Sequence, residues 1–369
     1  MPRRIATLGR ALLWLASASL VGLVAWLLLA PPAWIETVWL HGPWPRWAHG
    51  TSRLHTATVL PLTAIVVLVG TALTLSVALL RPPRWRRSGV ALLAWLTLLA
   101  LTFVPAWGAS YRRAPLAQTL GLADDAATVP VLLEAFERLA ARVHADAPER
   151  ALAASANDAA FDAAVAAAAR CVSEADALVS GRVISVPARV TPLPEGTLLR
   201  AGYGGISLPW LLEPHVDQGL PPAARLAVAT HELAHAAGWA READTDALAM
   251  LAGIGCDHDW VRYANALAGM QAVRASLVPL VDAQGVERAS VDATLAALPP
   301  AAHADRAALV EAVAHWYRPA FAQRVTTVYD AYLRSQGVDA GVADYDASGA
   351  LLAAALAACD RGATRPWCR

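Results

Sequence analysis

The chain contains no lysine: all 30 of its basic side chains are arginine, 30 acidic ones balance them, and the formal net charge is +0. No basic tract exists to neutralise a row of phosphates, which argues against nucleic acid as a partner. Arginine in place of lysine, beside very heavy use of alanine, reads as the codon usage of a GC-rich bacterium. Cysteine is scarce, with four residues, and none precedes Cys171. A small-x-small cleavage site is also missing before Pro31 and Pro32, and the apolar run ahead of them exceeds the ~7–15 residues of a signal-peptide core. That run is expected to stay in the protein as a membrane span.

Hydrophobic residues make up 57% of the chain and mean hydropathy is +0.41, too apolar for an ordinary soluble enzyme. The excess lies at the front. Three runs approach the ~20 apolar residues that a helix needs to cross a bilayer: about Ala11 to Ala30, Ala57 to Leu80 and Gly89 to Trp107. Arg3, Arg4 and Arg10 precede the first, and Arg81, Arg84, Arg86 and Arg87 separate the second from the third. The opposite loop, Pro31 to Thr56, carries only Arg46 and Arg53, and its Trp34, Trp39, Trp44 and Trp47 suit an interfacial belt. Positive residues are retained inside, so the N-terminus is expected to be cytoplasmic in a bacterial inner membrane. A three-helix anchor over residues 1–110 and an extracytoplasmic domain over 111–369 follow. All four cysteines fall in that outer domain, where disulfides persist. Cys359 and Cys368 make the shortest local clip, while Cys171 and Cys256 are either partners or buried thiols.

Within the outer domain, helical periodicity runs from Thr128 to Val179. The segment Gly181 to Trp210 changes character: β-branched residues punctuated by Pro187, Pro192, Pro194, Gly196 and Gly202 predict a small, partly edge-exposed sheet. Beyond Pro221 and Pro222 the chain reads as helix to its end, with breaks near Gly238, Gly255, Pro299 and Gly337. The fold expected is an α-helical anchor followed by a mainly helical α+β domain, with the sheet just ahead of one particular helix.

That helix carries His231-Glu232-Leu233-Ala234-His235. Four residues apart at ~100° per residue, the two histidines share one face and can hold one metal ion, with Glu232 rotated toward a water on that ion. Gly238 ends the helix, and Glu242 and Asp246, four residues apart on the next one, supply a third ligand and a carboxylate to orient a ligating histidine. A match to H-E-x-x-H arises by chance in about one chain of this size in a hundred. The bland alternative is a solvated amphipathic helix with two histidines. The flanking Arg225, Arg241 and Asp244 place the motif in water rather than inside an apolar span. Asp244 is a minor rival to Glu242 as ligand.

On these residues the chain resembles an uncharacterised bacterial family of three-span membrane proteins assigned to the gluzincin-like peptidase superfamily. HELAHAAGWARE follows the first part of its metal-site pattern, PWLLEPHVD from Pro209 to Asp217 an upstream stretch, and VYDAYLRSQGVDAGVADYD from Val328 to Asp346 its ending. The resemblance implies a zincin-like fold and a zinc metallopeptidase. His215 departs from the upstream pattern and is read either as substrate-side structure or as a residue touching the site.

The reading is hydrolysis of a peptide bond in a cell-envelope peptide or protein: Zn2+ on His231, His235 and Glu242, with Glu232 as general base and Asp246 behind a ligating histidine. Tyr329 and Tyr332 are candidate oxyanion donors. Tyr263, His315 and Tyr317 read as structural, and His144, His258 and His303 as surface residues. Two alternatives stand beside it. One is a non-catalytic envelope sensor or scaffold, its metal closed off by Asp244 or His215 as fourth ligand, and the other is a metal-dependent hydrolase of a non-peptide envelope substrate.

Overall fold

The computed structural model describes residues 17–58, 60–79, 85–122, 127–148, 158–282 and 285–368. The chain is mainly helical with one small mixed sheet. At the front lie α1 (Ser17–Leu29), α2 (Trp44–Ala57), α3 (Leu62–Leu79) and α4 (Trp85–Ala106). The window Gly89–Ala106 of α4 has a mean hydropathy of 2.0 and is only 6% buried, so its Val90, Leu93 and Leu96 face outward, as lipid-facing side chains do. α3 packs along α4, and the Trp95 indole N–H donates to Thr71 Oγ1 at 3.1 Å across that pair.

Among the described residues two helices are long and apolar enough to cross a membrane, or three if α2 and α3, bent by 95° at their break, count as one span. The second of the two, Gly341–Asp360, has Leu352, Ala353 and Leu356 buried in the core, so its apolar character serves packing. The expected first span, 11–30, lies partly outside the described residues. Its described part is the short α1, whose Leu27 is fully buried; the carbonyls of Leu27 and of Ala30, just past the helix, accept from the Arg112 guanidinium at 2.5 and 2.6 Å. The expected second span begins at Leu62 rather than Ala57.

The Pro31–Thr56 segment is also more than an interfacial loop. Ile35, Leu40 and Trp44 join the same buried cluster as the rest of the molecule, and the Trp44 indole donates to Ala106 O at 3.1 Å. Trp34 and Trp47 stay exposed, so only part of the expected belt faces outward. Glu213 fastens the membrane helices from the other side: its carboxylate accepts from Leu62 and Thr63 N–H at 2.9 and 2.8 Å, the free donors at the first turn of α3.

Beyond the anchor come α5 (Val129–Asp146) and α6 (Asp158–Ser180), then the strands β1 (Thr191–Leu193), β2 (Gly205–Leu208) and β3 (Glu213–Asp217). The sheet order is β1-β3-β2, with β1 parallel and β2 antiparallel to β3, so β2 is an edge. The sheet occupies the expected region, but its central strand lies beyond Trp210, in the segment singled out for the family resemblance. Then follow α7 (Pro222–Ala236), α8 (Glu242–Ile254), α9 (Asp259–Leu277), α10 (Val286–Ala296), α11 (Pro300–Trp316), α12 (Pro319–Ser335) and α13 (Ser348–Asp360). α7 packs on β3, α6, α8 and α9, which places the metal-motif helix at the centre. Both cysteine pairs are disulfides, Cys171–Cys256 and Cys359–Cys368, so the two thiols whose state the sequence left open are partners.

Candidate metal centre

α7 starts on Pro222 at its first turn, where the missing N–H costs nothing, and stops at Gly238, whose φ of +83° only glycine adopts freely. A Cβ there would also lie 2.6 Å from the Trp44 ring. The turn brings α8 back across α7. Glu242 and Asp244 sit in the first turn of α8, where the helix dipole favours carboxylates, and Ala243 N–H donates to Asp344 at 3.0 Å.

The result is a triangle of three ligand atoms. His231 Nε2 and His235 Nε2 are 3.0 Å apart, and Glu242 Oε2 lies 3.4 Å from the first and 3.2 Å from the second. Three donors at ~2.05 Å from a tetrahedral ion are separated by ~3.3 Å, so the triangle has the size of one face of a zinc tetrahedron. Beyond the two imidazoles the buried Glu242 Oε2 has no hydrogen-bond partner, a condition that costs free energy unless a cation or a protonated histidine meets it. The outward-facing atoms are all held. His231 Nδ1 bonds Asp246 Oδ1 at 2.6 Å and His235 Nδ1 bonds Trp239 O at 2.6 Å, which directs both Nε2 lone pairs into the triangle. Glu242 Oε1 accepts from the Tyr329 hydroxyl. Among the described residues these three are the group able to hold a metal.

Glu232 lies beside the triangle. Ser207 on β2 donates to its Oε2 at 2.9 Å, and a Cβ on Gly205 would fall 2.5 Å from its Oε1, so the strand both holds and crowds this carboxylate. Burial, the largest influence, pushes its pKa above the ordinary glutamate value against the pull of His231 and His235. A carboxyl tuned upward holds a proton more readily than an ordinary glutamate.

Two cavities meet at His231 and Glu232. One, of about 390 Å³, reaches Asp246 and Asn265; the other, of about 690 Å³, reaches Phe103 and Trp107 at the end of α4. β2 borders the larger one. Because Asp217 N–H donates to Gly204 O, the pairing with β3 falls on Gly204 and Ile206, and the backbone groups of Gly205 and Ser207 point away from β3.

The remaining expected residues separate clearly. Asp244 turns away from the triangle and accepts from Leu116 N–H at 3.1 Å, and burial pushes its carboxyl up to about 6. His215 is buried on β3, with Nδ1 bonded to Glu213 O at 3.0 Å. Neither closes the metal face. Tyr329 is at the site but bonds Glu242, and Tyr332 stands one step back, accepting from the Tyr111 hydroxyl at 3.2 Å. Tyr263 is structural, its hydroxyl on Asp305 at 2.8 Å. Residues not foreseen include Ser207, Trp107, whose ring lies 5.3 Å from that of His235, and Tyr345, stacked 6.4 Å from His231. Tyr345 lies in the downstream stretch Val328 to Asp346 that carried the family resemblance, which was the available signal.

The family described as "Protein of unknown function (DUF3810)" matches residues 54–353, from the second helix of the anchor to α13. The chain belongs to that family. No curated protein and no solved structure matches it. The matched region holds the whole metal triangle, Asp246, and the tyrosines behind them.

Proposed function

We propose that the chain is a membrane-anchored zinc metallopeptidase with a zincin-like catalytic domain on the extracytoplasmic side of a bacterial inner membrane. One observation carries this reading: a buried Glu242 oxygen with no partner outside the site completes a zinc-sized triangle with two imidazole nitrogens whose opposite ring atoms are already bonded. When bound there, zinc supplies Lewis acidity to a water and to the scissile carbonyl.

The protein's own groups account for the rest. Glu232 takes a proton from the attacking water as its oxygen bonds the carbonyl carbon, and delivers that proton to the departing amine nitrogen as the C–N bond breaks. Ser207 keeps the carboxylate aimed while it does so. The free edge of β2 offers N–H and C=O groups to an extended peptide, and the two cavities that share Glu232 as a lining residue give room for chain beside the bond cut. Those two features favour a peptide over a non-peptide substrate. Asp244 and His215 are engaged elsewhere, so three protein ligands leave a fourth position open, which favours an enzyme over a metal-closed scaffold. The two disulfides favour an oxidising compartment for the domain, as does the arginine distribution for a cytoplasmic N-terminus.

The test uses the full chain in detergent or liposomes. It is expected to hold about one zinc per chain, and Glu232→Gln to keep the metal while losing hydrolysis of a peptide pool read by mass spectrometry. A wild-type chain that binds no zinc overturns the reading.

A further inference from the structure

We infer that the site acts on polypeptides that are themselves anchored in the bilayer, cutting them within a few residues of the point where they leave it. This rests on the peptidase reading above and adds to it the class of substrate.

The larger cavity carries the inference. Its lining includes the metal triangle and β2 together with Ala100, Phe103 and Trp107, so a strongly apolar helix of the anchor is also a wall of the cleft. Trp107 directly follows the apolar window that ends at Ala106, and its ring is 5.3 Å from His235. The metal face thus stands about one side chain from the end of a membrane span.

The edge strand leads toward that span. β2 passes Glu232 at Gly205 and Ser207 and ends at Leu208, and two residues later the Trp210 indole N–H donates to Leu99 O at 3.0 Å. Leu99 precedes Ala106 by seven residues, ~10 Å along a helix at ~1.5 Å per residue. The far end of the strand is therefore fastened below the end of the apolar window. Phe103 packs edge-on against Trp210 at 6.2 Å and against Tyr332 at 6.2 Å, which makes this end of the cleft aromatic and apolar. Ile206 on the strand and Phe321 across the cavity are exposed, at 43% and 49%.

Such a track suits a chain leaving a membrane and poorly suits a soluble peptide. A polypeptide near the hydrocarbon layer must have its backbone groups satisfied, and the outward N–H and C=O of Gly205 and Ser207 supply partners at that depth. The ~10 Å along α4 from Leu99, where the strand's far end is fastened, to Ala106 spans about three extended residues at ~3.3 Å each, and the metal face stands one side chain beyond that end, so the cut falls within about five residues of the substrate's own span.

The experiment reconstitutes the zinc-loaded full chain in phosphatidylethanolamine–phosphatidylglycerol liposomes. One pool of degenerate extended segments is offered in three forms: joined directly to a single apolar helix, joined to that helix through a long Gly-Ser spacer, and on a soluble carrier. Glu232→Gln liposomes set the background. Cleavage of the directly joined pool at least about tenfold faster than of the spaced pool, with cuts within about five residues of the helix, is the expected result. Equal cleavage of all three pools overturns the inference and leaves the peptidase intact. Cleavage of none, with zinc bound, overturns the peptidase reading and this inference with it.

Discussion

Removing the carboxylate of Asp246 is the sharpest probe of the metal face, because it touches no ligand atom directed at the ion. Asp246 Oδ1 holds His231 Nδ1 at 2.6 Å, fixing which ring nitrogen faces the triangle and adding negative charge behind it. Loss of such a supporting partner typically weakens metal binding ~10–100-fold, ~1.4–2.7 kcal/mol. The Asp246 side chain is 29% exposed, so water can take over part of its role, and Asp246→Ala is expected at the lower end, about tenfold. Asp246→Asn keeps an acceptor and loses only the charge, so about threefold is expected. Glu242→Ala, which deletes a vertex of the triangle, should exceed both. Zinc affinity by competition with a chromophoric chelator gives the order, with circular dichroism checking that each variant folds. Wild-type affinity in both Asp246→Ala and His231→Ala would refute the reasoning.

Gly205→Ala should keep zinc and lose activity, because its Cβ falls 2.5 Å from Glu232 Oε1 and 2.8 Å from Val228 Cγ1 and displaces the base without touching a ligand; zinc content and turnover measured together separate the two effects. Tyr329→Phe frees Glu242 Oε1 and is expected to weaken zinc about tenfold in the same chelator titration. Asp176 is fully buried: burial alone raises its pKa, yet Arg182, Arg113 and the Trp239 N–H overcome this and hold it below the usual carboxyl value. A depressed folded pKa adds stability above the unfolded value of 3.8 that is lost as pH falls through the lower folded one. Thermal melts across acid pH should therefore show Asp176→Asn destabilised by ~3–5 kcal/mol at neutral pH and less sensitive to acid than the wild type. Removing Cys171–Cys256, which closes a separation of 85 residues, should cost ~4–5 kcal/mol, against ~2–3 for Cys359–Cys368, which closes 9. A melt in which the short clip mattered more would contradict the loop-closure account.

His231, Glu232, His235, Glu242 and Asp246 were legible in the sequence because helix geometry is local: four residues make one turn, and a glycine between two helices allows the second to fold back. Their supports were not legible in the same way. Tyr329 and Tyr345 come from elements about a hundred residues downstream, and Trp107 from the end of a span that reads only as membrane. The central strand was missed for a physical reason. Glu213-Pro-His-Val-Asp217 reads as polar, yet all five residues are buried, since Glu213 is paid by Leu62 and Thr63 N–H and Asp217 by those of Gly196, Leu198 and Gly219. A strand whose charges are satisfied by distant backbone carries no alternating signature. Trp44 deceived in the opposite sense: tryptophans beside apolar runs suggest an interface, and this one fills the space under Gly238.

The link between anchor and site runs through the turn that ends α7. Arg182 donates to Ala237 O and Arg113 to Gly238 O at 3.0 Å, and Asp176, 2.9 Å from Arg182 and 3.9 Å from Arg113, lies between the two guanidiniums. Arg113 also stacks 3.6 Å from the Trp239 ring, whose N–H bonds Asp176 at 2.8 Å. The carbonyl of that same Trp239 fixes His235. Arg113 follows the end of α4 by seven residues, and its second partner, Glu36 at 3.5 Å, belongs to the segment before α2. Side chains from the anchor region thus hold the backbone that sets the orientation of a candidate metal ligand. Arg113 stands behind the backbone that holds His235, and Trp107 against the His235 ring. Because these contacts reach the candidate metal site from the anchor, the anchor helices belong in any preparation used to measure it.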